Sequence, residues 1–395
     1  MEFSKRVADP VHRTIGLSKL EVSVINSKAF QRLRNIRQLG LAHFVFPGAD
    51  YSRFSHSLGV CHITGRILEA LRNTERGRSI TDKEIELYRL AGLVHDIGHY
   101  PFSHAMEDVL EDFYPGGLVS DTAEESMGKE EQTENEALEG TKYFDHERAG
   151  QEIISVDEEL RTVFHESDID PEDVASIFRR TRRGADPQKF ANLVSSDLDA
   201  DRIDYLLRTS HHSGLPYGSV DLDYIISQMR LDSDNRVCIR MKALRAADHM
   251  LLSRYFDYLQ STYHKTVTGA ELVLKDVIWE LLRSKMLSCS RKDVSKMVAD
   301  GTWSCFDEAA ATQKIRALRD ETDDEVIKTK ISCVLDRTPP KLVWEDEFLA
   351  SRYEPKTKDL FLNQAQRLKE KREQWAKDLK IEPERLYYRD VPVRS

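Results

Sequence analysis

The sequence predicts an all-α chain with a small β-hairpin or extended arm at the N-terminus and a minor α+β part towards the C-terminus. Three observations lead to this. Of the 395 residues, 32% are charged and only 8% aromatic, and Leu, Ile, Ala, Glu and Arg are abundant, which is the usage of a helical protein. Apolar residues recur at three- and four-residue spacing through most of the chain. Turn signals such as Asp9-Pro10 and Pro339-Pro340 punctuate those stretches.

Taken in order, residues 1–20 read as the arm or hairpin, turning at Asp9-Pro10, and helices begin near Leu20. From Val22 to Leu39, apolar Val24, Ile25, Phe30, Leu33, Ile36 and Leu39 alternate with Arg32, Arg34 and Arg37. That pattern predicts one amphipathic helix, or two short ones, with a basic face. His56 to Leu71 continues as helix, and Arg72 to Ser79 is a polar loop. Thr81-Asp82-Lys83-Glu84 supplies an N-terminal cap for the helix that follows. Pro115 to Thr141 is rich in Gly, Ser and Glu with scarcely a large apolar side chain, and is expected to be a flexible acidic insertion. Lys142 to Gly150 starts another helix, and Arg179-Arg180-Thr181-Arg182-Arg183-Gly184 is a basic loop. Beyond Gly218 helical periodicity dominates, clearest over Leu251 to His264 and Leu272 to Met286. Lys356 to Lys380 is a highly charged helix with a thin apolar stripe, suited to subunit contacts. Residues 1–230 are expected to form the core, and residues 231–395 a helical lobe that completes the pocket and carries oligomer contacts.

A net charge of −10 disfavours a general nucleic-acid binder, which needs a broad basic surface. It leaves room for a small anionic substrate, because local Arg and Lys focus potential in a cleft. No apolar run approaches the roughly 20 residues of a membrane span, and Lys5-Arg6 is not followed by an apolar segment, so a cytoplasmic location is expected. Five scattered Cys include no C-x-x-C pair, which argues against a disulfide framework and a thiolate zinc site.

The chemistry concentrates in Leu90-Ala91-Gly92-Leu93-Val94-His95-Asp96-Ile97-Gly98-His99-Tyr100-Pro101-Phe102-Ser103-His104. An apolar run ends abruptly in an imidazole beside a carboxylate, and such groups are costly at the end of a buried helix unless they face a positive charge. A metal ion meets that demand. Further ligands must come from elsewhere: His56 opens an amphipathic stretch upstream, and Asp201, Tyr205, Arg208 and His212 line one helical face downstream.

The ordered set His56, His95-Asp96, Asp201 resembles the H…HD…D signature of the HD-domain phosphohydrolases. Asp9-Pro10-Val11-His12, Phe30-Gln31-Arg32-Leu33-Arg34, Gln38-Leu39-Gly40, Val45-Phe46-Pro47-Gly48-Ala49, Arg53 to Val60 and His95 to His99 resemble, more narrowly, the deoxynucleoside triphosphate triphosphohydrolases, including the catalytic domain of the animal SAM-and-HD-domain enzymes. The resemblance covers about residues 5 to 270. It implies an HD-domain helical core that hydrolyses dNTPs to deoxynucleoside and inorganic triphosphate. Alternatives are another phosphohydrolase on the same site (acting on nucleoside monophosphates, an alarmone or a cyclic nucleotide) or a non-catalytic nucleotide- or nucleic-acid-binding protein.

Two His and two Asp form an N₂O₂ set that suits one divalent ion per subunit, Mn, Fe, Zn, Mg, Co or Ni. Phosphoester hydrolysis also needs a proton donor for the leaving oxygen. The resemblance implies His146 for that role with Glu107 supporting it, and His99 and His104 near the α-phosphate. It also implies Arg53, Arg202 and Arg254 for the triphosphate, with Tyr263 and His264 nearby, and Gln38 and Tyr205 packed against the sugar. Asp199, two residues before Asp201, either precedes the helix start or orients water. Thr209 stands where the family has an Asp for the 3′-hydroxyl. Lys5, Arg32 and Arg34 match positions of a regulatory nucleotide site, although Asn26 replaces its guanine-reading acid. His211 and His212 are expected behind the ligands, and His12, His43, His62, His165 and His249 read as ordinary histidines. A homo-oligomer, dimer or tetramer, is implied as well.

Overall fold

The computed structural model describes residues 2–118, 142–178, 189–190, 193–194, 198–218, 220–342, 358–380, 382–383 and 386–387. Most of the expected acidic insertion, the basic loop at 179–184 and residues 195–197 lie outside these. The chain opens on an antiparallel hairpin, β1 (Lys5–Asp9) with β2 (Arg13–Leu17), in register Val7 opposite Ile15 and Asp9 opposite Arg13. Ile15 and Leu17 are buried, so alternation turns one face of β2 into the core.

Helices follow: α1 (Lys19–Asn26), α2 (Lys28–Gln31), α3 (Arg53–Arg72), α4 (Asp82–Val94), α5 (His104–Phe113), α6 (His146–Val156), α7 (Glu158–Glu166) and α8 (Pro171–Phe178). The stretch after Val22 is therefore broken rather than continuous. Ser27 is extended and its Oγ accepts from Phe30 N at 3.3 Å, capping α2 and ending α1, and a 3₁₀ turn takes over at Arg32–Asn35. Its basic face is split too: Arg34 is exposed, whereas Arg32 is buried. The expected cap of α4 is present as a reciprocal box. Glu84 N donates to Thr81 Oγ1 at 3.2 Å, and Thr81 N donates to Glu84 Oε2 at 2.8 Å.

The second half comprises α9 (Ala200–Ser213), α10 (Leu222–Ser227), a small hairpin β3 (Met229–Leu231) and β4 (Val237–Ile239), α11 (Leu244–Asp257), α12 (Lys265–Arg283), α13 (Arg291–Ala299), α14 (Glu308–Glu321), α15 (Glu325–Leu335) and α16 (Lys358–Leu379). A wide π turn at Tyr258–Thr262 ends α11 where sequence periodicity predicts unbroken helix to His264. Among the described residues the main hydrophobic core runs from Ile15 to Val334, with α3 packed along α4 and α9 at its centre, and a small separate cluster gathers Ala42, Ala49 and Val267. None of the described helices is long and apolar enough to cross a membrane.

Candidate active site

α4 stops at Val94, so the His95-Asp96 doublet lies in the turn after the helix rather than within it. His95 Nδ1 donates to Gly92 O at 2.9 Å, which leaves the lone pair on Nε2. That nitrogen is buried and has no hydrogen-bond partner among the described residues. His56, in the first turn of α3, points Nε2 at Asp201 Oδ1 across 2.9 Å, and His95 Nε2 is 3.8 Å from the same oxygen. The ligating atoms of His56, His95 and Asp201 all lie within 4.8 Å of one another. Two imidazole nitrogens and a carboxylate suit a divalent cation, and the orphaned His95 Nε2 is what one would satisfy.

Asp199 settles the spacing question. It is extended, its Oδ1 accepts from Arg202 N at 2.7 Å, and α9 begins after it, so Asp201 occupies the first turn while Asp199 caps the helix. Asp96 stands at the edge of the trio, 3.4 Å from His95 Nε2 and 3.9 Å from His56 Nε2. Its Oδ2 accepts from Arg53 Nη1 at 2.6 Å, and Arg53 Nε donates to Ser103 Oγ at 3.0 Å. Burial alone would raise the Asp96 pKa, but Arg53, His95 and His99 hold it well below the carboxylate range. Ser103 Oγ in turn donates to Arg37 O at 3.1 Å. This bridge is held by an unusual backbone, since Phe102 and Ser103 both have positive φ (61° and 53°).

A second cluster adjoins the first. Glu107 Oε1 accepts from both His146 N and His146 Nδ1, at 2.8 and 2.7 Å, and Oε2 is 3.0 Å from His104 Nδ1. His146 stacks on His99 with ring centroids 4.0 Å apart and planes 13° from parallel. Gly98 permits this approach: a Cβ there would stand 2.1 Å from His146 O and 2.3 Å from Gly150 N, both backbone atoms. The stacked pair is electrically unequal. Burial, with Arg53 and His146, pushes His99 well below its usual value. For His146 burial acts the same way, but the Glu107 carboxylate outweighs it and raises the pKa to about 9.

Both clusters face one cavity of about 590 Å³. Gln38, Arg53, Asp199, Arg202, Tyr205, Arg254 and Tyr263 line it, with Tyr258, Ser261 and Thr262 of the π turn. Among the expected substrate contacts, His264 is placed differently. It is not in the lining but precedes α12, where its Nδ1 accepts from Thr266 N at 3.2 Å. Thr209 is buried and hydrogen-bonded with Tyr51 Oη at 2.7 Å.

Of the positions matched to a regulatory nucleotide, Lys5 and Arg34 are exposed. Arg32, by contrast, donates to Phe306 O at 2.6 Å and His99 O at 2.8 Å and lies over the Trp303 ring, so in this structure it supports the active-site turn.

Sequence reasoning missed three groups. Asp257, fully buried, accepts from the hydroxyls of Tyr205 and Tyr217. Asp204 meets His56 from behind, and His12 is not an ordinary histidine, because its Nε2 lies 2.6 Å from Asp204 Oδ1. The only available signal was the i, i+3 and i, i+4 spacing of Asp201, Asp204 and Arg208.

Residues 53–209 match the family described as HD domain. An uncharacterized Bacillus subtilis protein, YwfO, is 34% identical over 273 residues, covering 68% of this chain and 54% of that protein. The human deoxynucleoside triphosphate triphosphohydrolase SAMHD1 is 29% identical over 294 residues, covering 70% of this chain and 44% of the human protein. The chain thus spans about half the length of the curated relatives it matches. A crystal structure of a phosphohydrolase from Bacteroides thetaiotaomicron shares the fold, with a TM-score of 0.69 over 96% of this chain and 86% of that one at 23% identity.

Proposed function

We propose, from the premise that this chain belongs to the HD-domain phosphohydrolases, that it hydrolyses deoxynucleoside triphosphates to deoxynucleoside and inorganic triphosphate. The observation that carries the reading is the meeting, in one cavity, of a His95 Nε2 that has no hydrogen-bond partner among the described residues, beside Asp201, with a His146 whose Nδ1 is held by Glu107 at 2.7 Å. A divalent ion on His56, His95 and Asp201, with Asp96 alongside, would polarise the α-phosphate and acidify a water.

The chain's own groups supply the rest. Arg53, Arg202 and Arg254 line the cavity and meet the negative charge of a triphosphate. Water adds to the α-phosphorus and gives up a proton to solvent, the bond to the 5′-oxygen breaks, and that oxygen leaves with the proton of His146, whose Nδ1 stays on Glu107 and whose ring is then reprotonated from solvent. His99, held neutral, packs against the imidazolium without competing for the proton. Gln38 presents an unsatisfied buried amide oxygen, an acceptor for a sugar hydroxyl, and Tyr205 walls the same cavity.

Subunit contacts fit α11, where Leu244, Leu251, Leu252, Tyr255, Phe256 and, one turn on, Leu259 form an exposed apolar face.

The test is product analysis with each dNTP and its ribo counterpart over a panel of divalent ions, alongside sedimentation of the native protein. Intact triphosphate is expected from dNTPs and little turnover from NTPs. Orthophosphate as the product, or nucleotide bound without turnover, sinks the reading.

A further inference from the structure

His56 is held from behind by a buried polar network that begins in the N-terminal hairpin. Its Nδ1 lies 2.7 Å from Asp204 Oδ2. The other oxygen, Oδ1, lies 2.6 Å from His12 Nε2. Arg208 completes the carboxylate, with Nε donating to Oδ2 at 2.9 Å and Nη2 to Oδ1 at 3.0 Å. The same guanidinium reaches Asp9 Oδ2 through Nη1 at 2.8 Å. Asp9 Oδ1 accepts from Val11 N and His12 N at 2.9 and 2.8 Å, which shapes the hairpin turn that carries His12. The side chains of His12, Asp9, Asp204 and Arg208 are each no more than 4% exposed.

The backbone opposite makes room for this. A Cβ on Gly59 would fall 1.8 Å from Asp204 Oδ1 and 2.6 Å from Arg208 Nη2. Burying two carboxylates, a guanidinium and an imidazole is costly for anchoring a two-stranded hairpin, which an apolar contact would do as well. The arrangement does, however, fix a proton. Asp204 accepts from all four donors only if His56 carries a hydrogen on Nδ1, so a cation can meet His56 only through Nε2, the nitrogen that faces Asp201.

We propose that Asp204, set by His12, Arg208 and Asp9, is the positioning residue for His56, and that the hairpin thereby tunes how tightly the site holds a divalent cation. The inference rests on the reading of His56, His95 and Asp201 as a cation site. In Asp204→Asn an amide NH₂ must replace one acceptor oxygen, and where it faces His56 it selects the tautomer that closes Nε2 to a cation. Outer partners of this kind set metal affinity by about 10–100-fold.

The experiment titrates Mn²⁺ into chelator-stripped full-length protein, reading free Mn²⁺ by electron paramagnetic resonance, with a thermal melt of each ion-free variant. Asp204→Asn is expected to bind Mn²⁺ at least about tenfold more weakly while still melting cooperatively. Should it fail to fold, His12→Ala gives the same reading from outside the helical core, with His12→Gln, which keeps a donor, restoring part of the affinity. A lowered melting temperature with Mn²⁺ affinity within about twofold of wild type, in either variant, reduces the network to a hairpin anchor and overturns the inference. Absence of Mn²⁺ binding by the wild type overturns the cation site itself, and the inference with it.

Discussion

Asp201→Ala is expected to fold, to lose its bound divalent ion, and to hydrolyse dNTPs at least about 10³-fold more slowly than wild type. The folding half of this follows from position. Asp201 sits in the first turn of α9 with its side chain 37% exposed, and the cap of that helix is Asp199, not Asp201. Its loss removes a favourable acid–dipole contact, typically under about 1 kcal/mol, and the 2.9 Å contact with His56 Nε2, whose ring stays held by Asp204 through Nδ1. The functional half follows from geometry. Among the described residues, Asp201 Oδ1 is the one carboxylate oxygen close to both imidazole nitrogens, at 2.9 Å from His56 and 3.8 Å from His95. Without it the two histidines have Asp96 alone, whose Oδ2 is already taken by Arg53. Metal content by mass spectrometry, beside single-turnover rates, checks both halves. Retained ion with retained turnover would remove this trio from the chemistry.

Much of this site was legible before any coordinates because its parts are local. The capping box at Thr81 and Glu84 and the face shared by Asp201 and Tyr205 are set by neighbours three or four residues away, which periodicity reports, whereas the sequence left open whether Asp199 precedes the helix or orients water. The resemblance supplied the distant partners His56 and His146. What escaped was long-range and depends on burial. His12 and Asp204 are 192 residues apart, and although Asp9 to His12 belongs to the stretches that carry the resemblance, nothing in either segment pairs the two. Asp257 reads as a surface acid on an amphipathic helix until Tyr205 and Tyr217 are brought onto it. Arg32 is the inverse case, an arginine expected on a basic face and matched to a regulatory nucleotide position, which packs against the Trp303 ring and holds the His99 carbonyl. The apolar run that stops at His95 already marked the end of α4, but not how the chain turns there. The chain leaves the helical path because His95 bonds back to Gly92 O and Gly98 must approach α6.

The acid role of His146 leads to the second large effect. His146→Gln is expected to lower kcat by roughly 10²–10⁴-fold, the usual worth of a positioned proton donor. KM is expected to change little, since the Arg side chains that line the cavity are untouched. The wild-type pH profile should carry the signature of the same group. Burial opposes the charge on His146, but Glu107 raises its pKa to about 9, so the donor stays protonated through neutral pH and kcat falls as pH rises through about 9. The alkaline limb should vanish in His146→Gln. The sign for stability is the same. A histidine whose folded pKa exceeds its unfolded value of about 6.5 contributes fully below that value and loses its contribution as pH rises through about 9. Glu107, held well below its ordinary value by His146 and His104 despite burial, loses its contribution only in acid. Glu107→Gln should therefore shift the alkaline limb of the wild-type profile downwards rather than abolish it, because the imidazole remains while the charge that raises its pKa is gone. An alkaline limb unmoved in Glu107→Gln, or still present in His146→Gln, would assign the proton to a different group in the cavity.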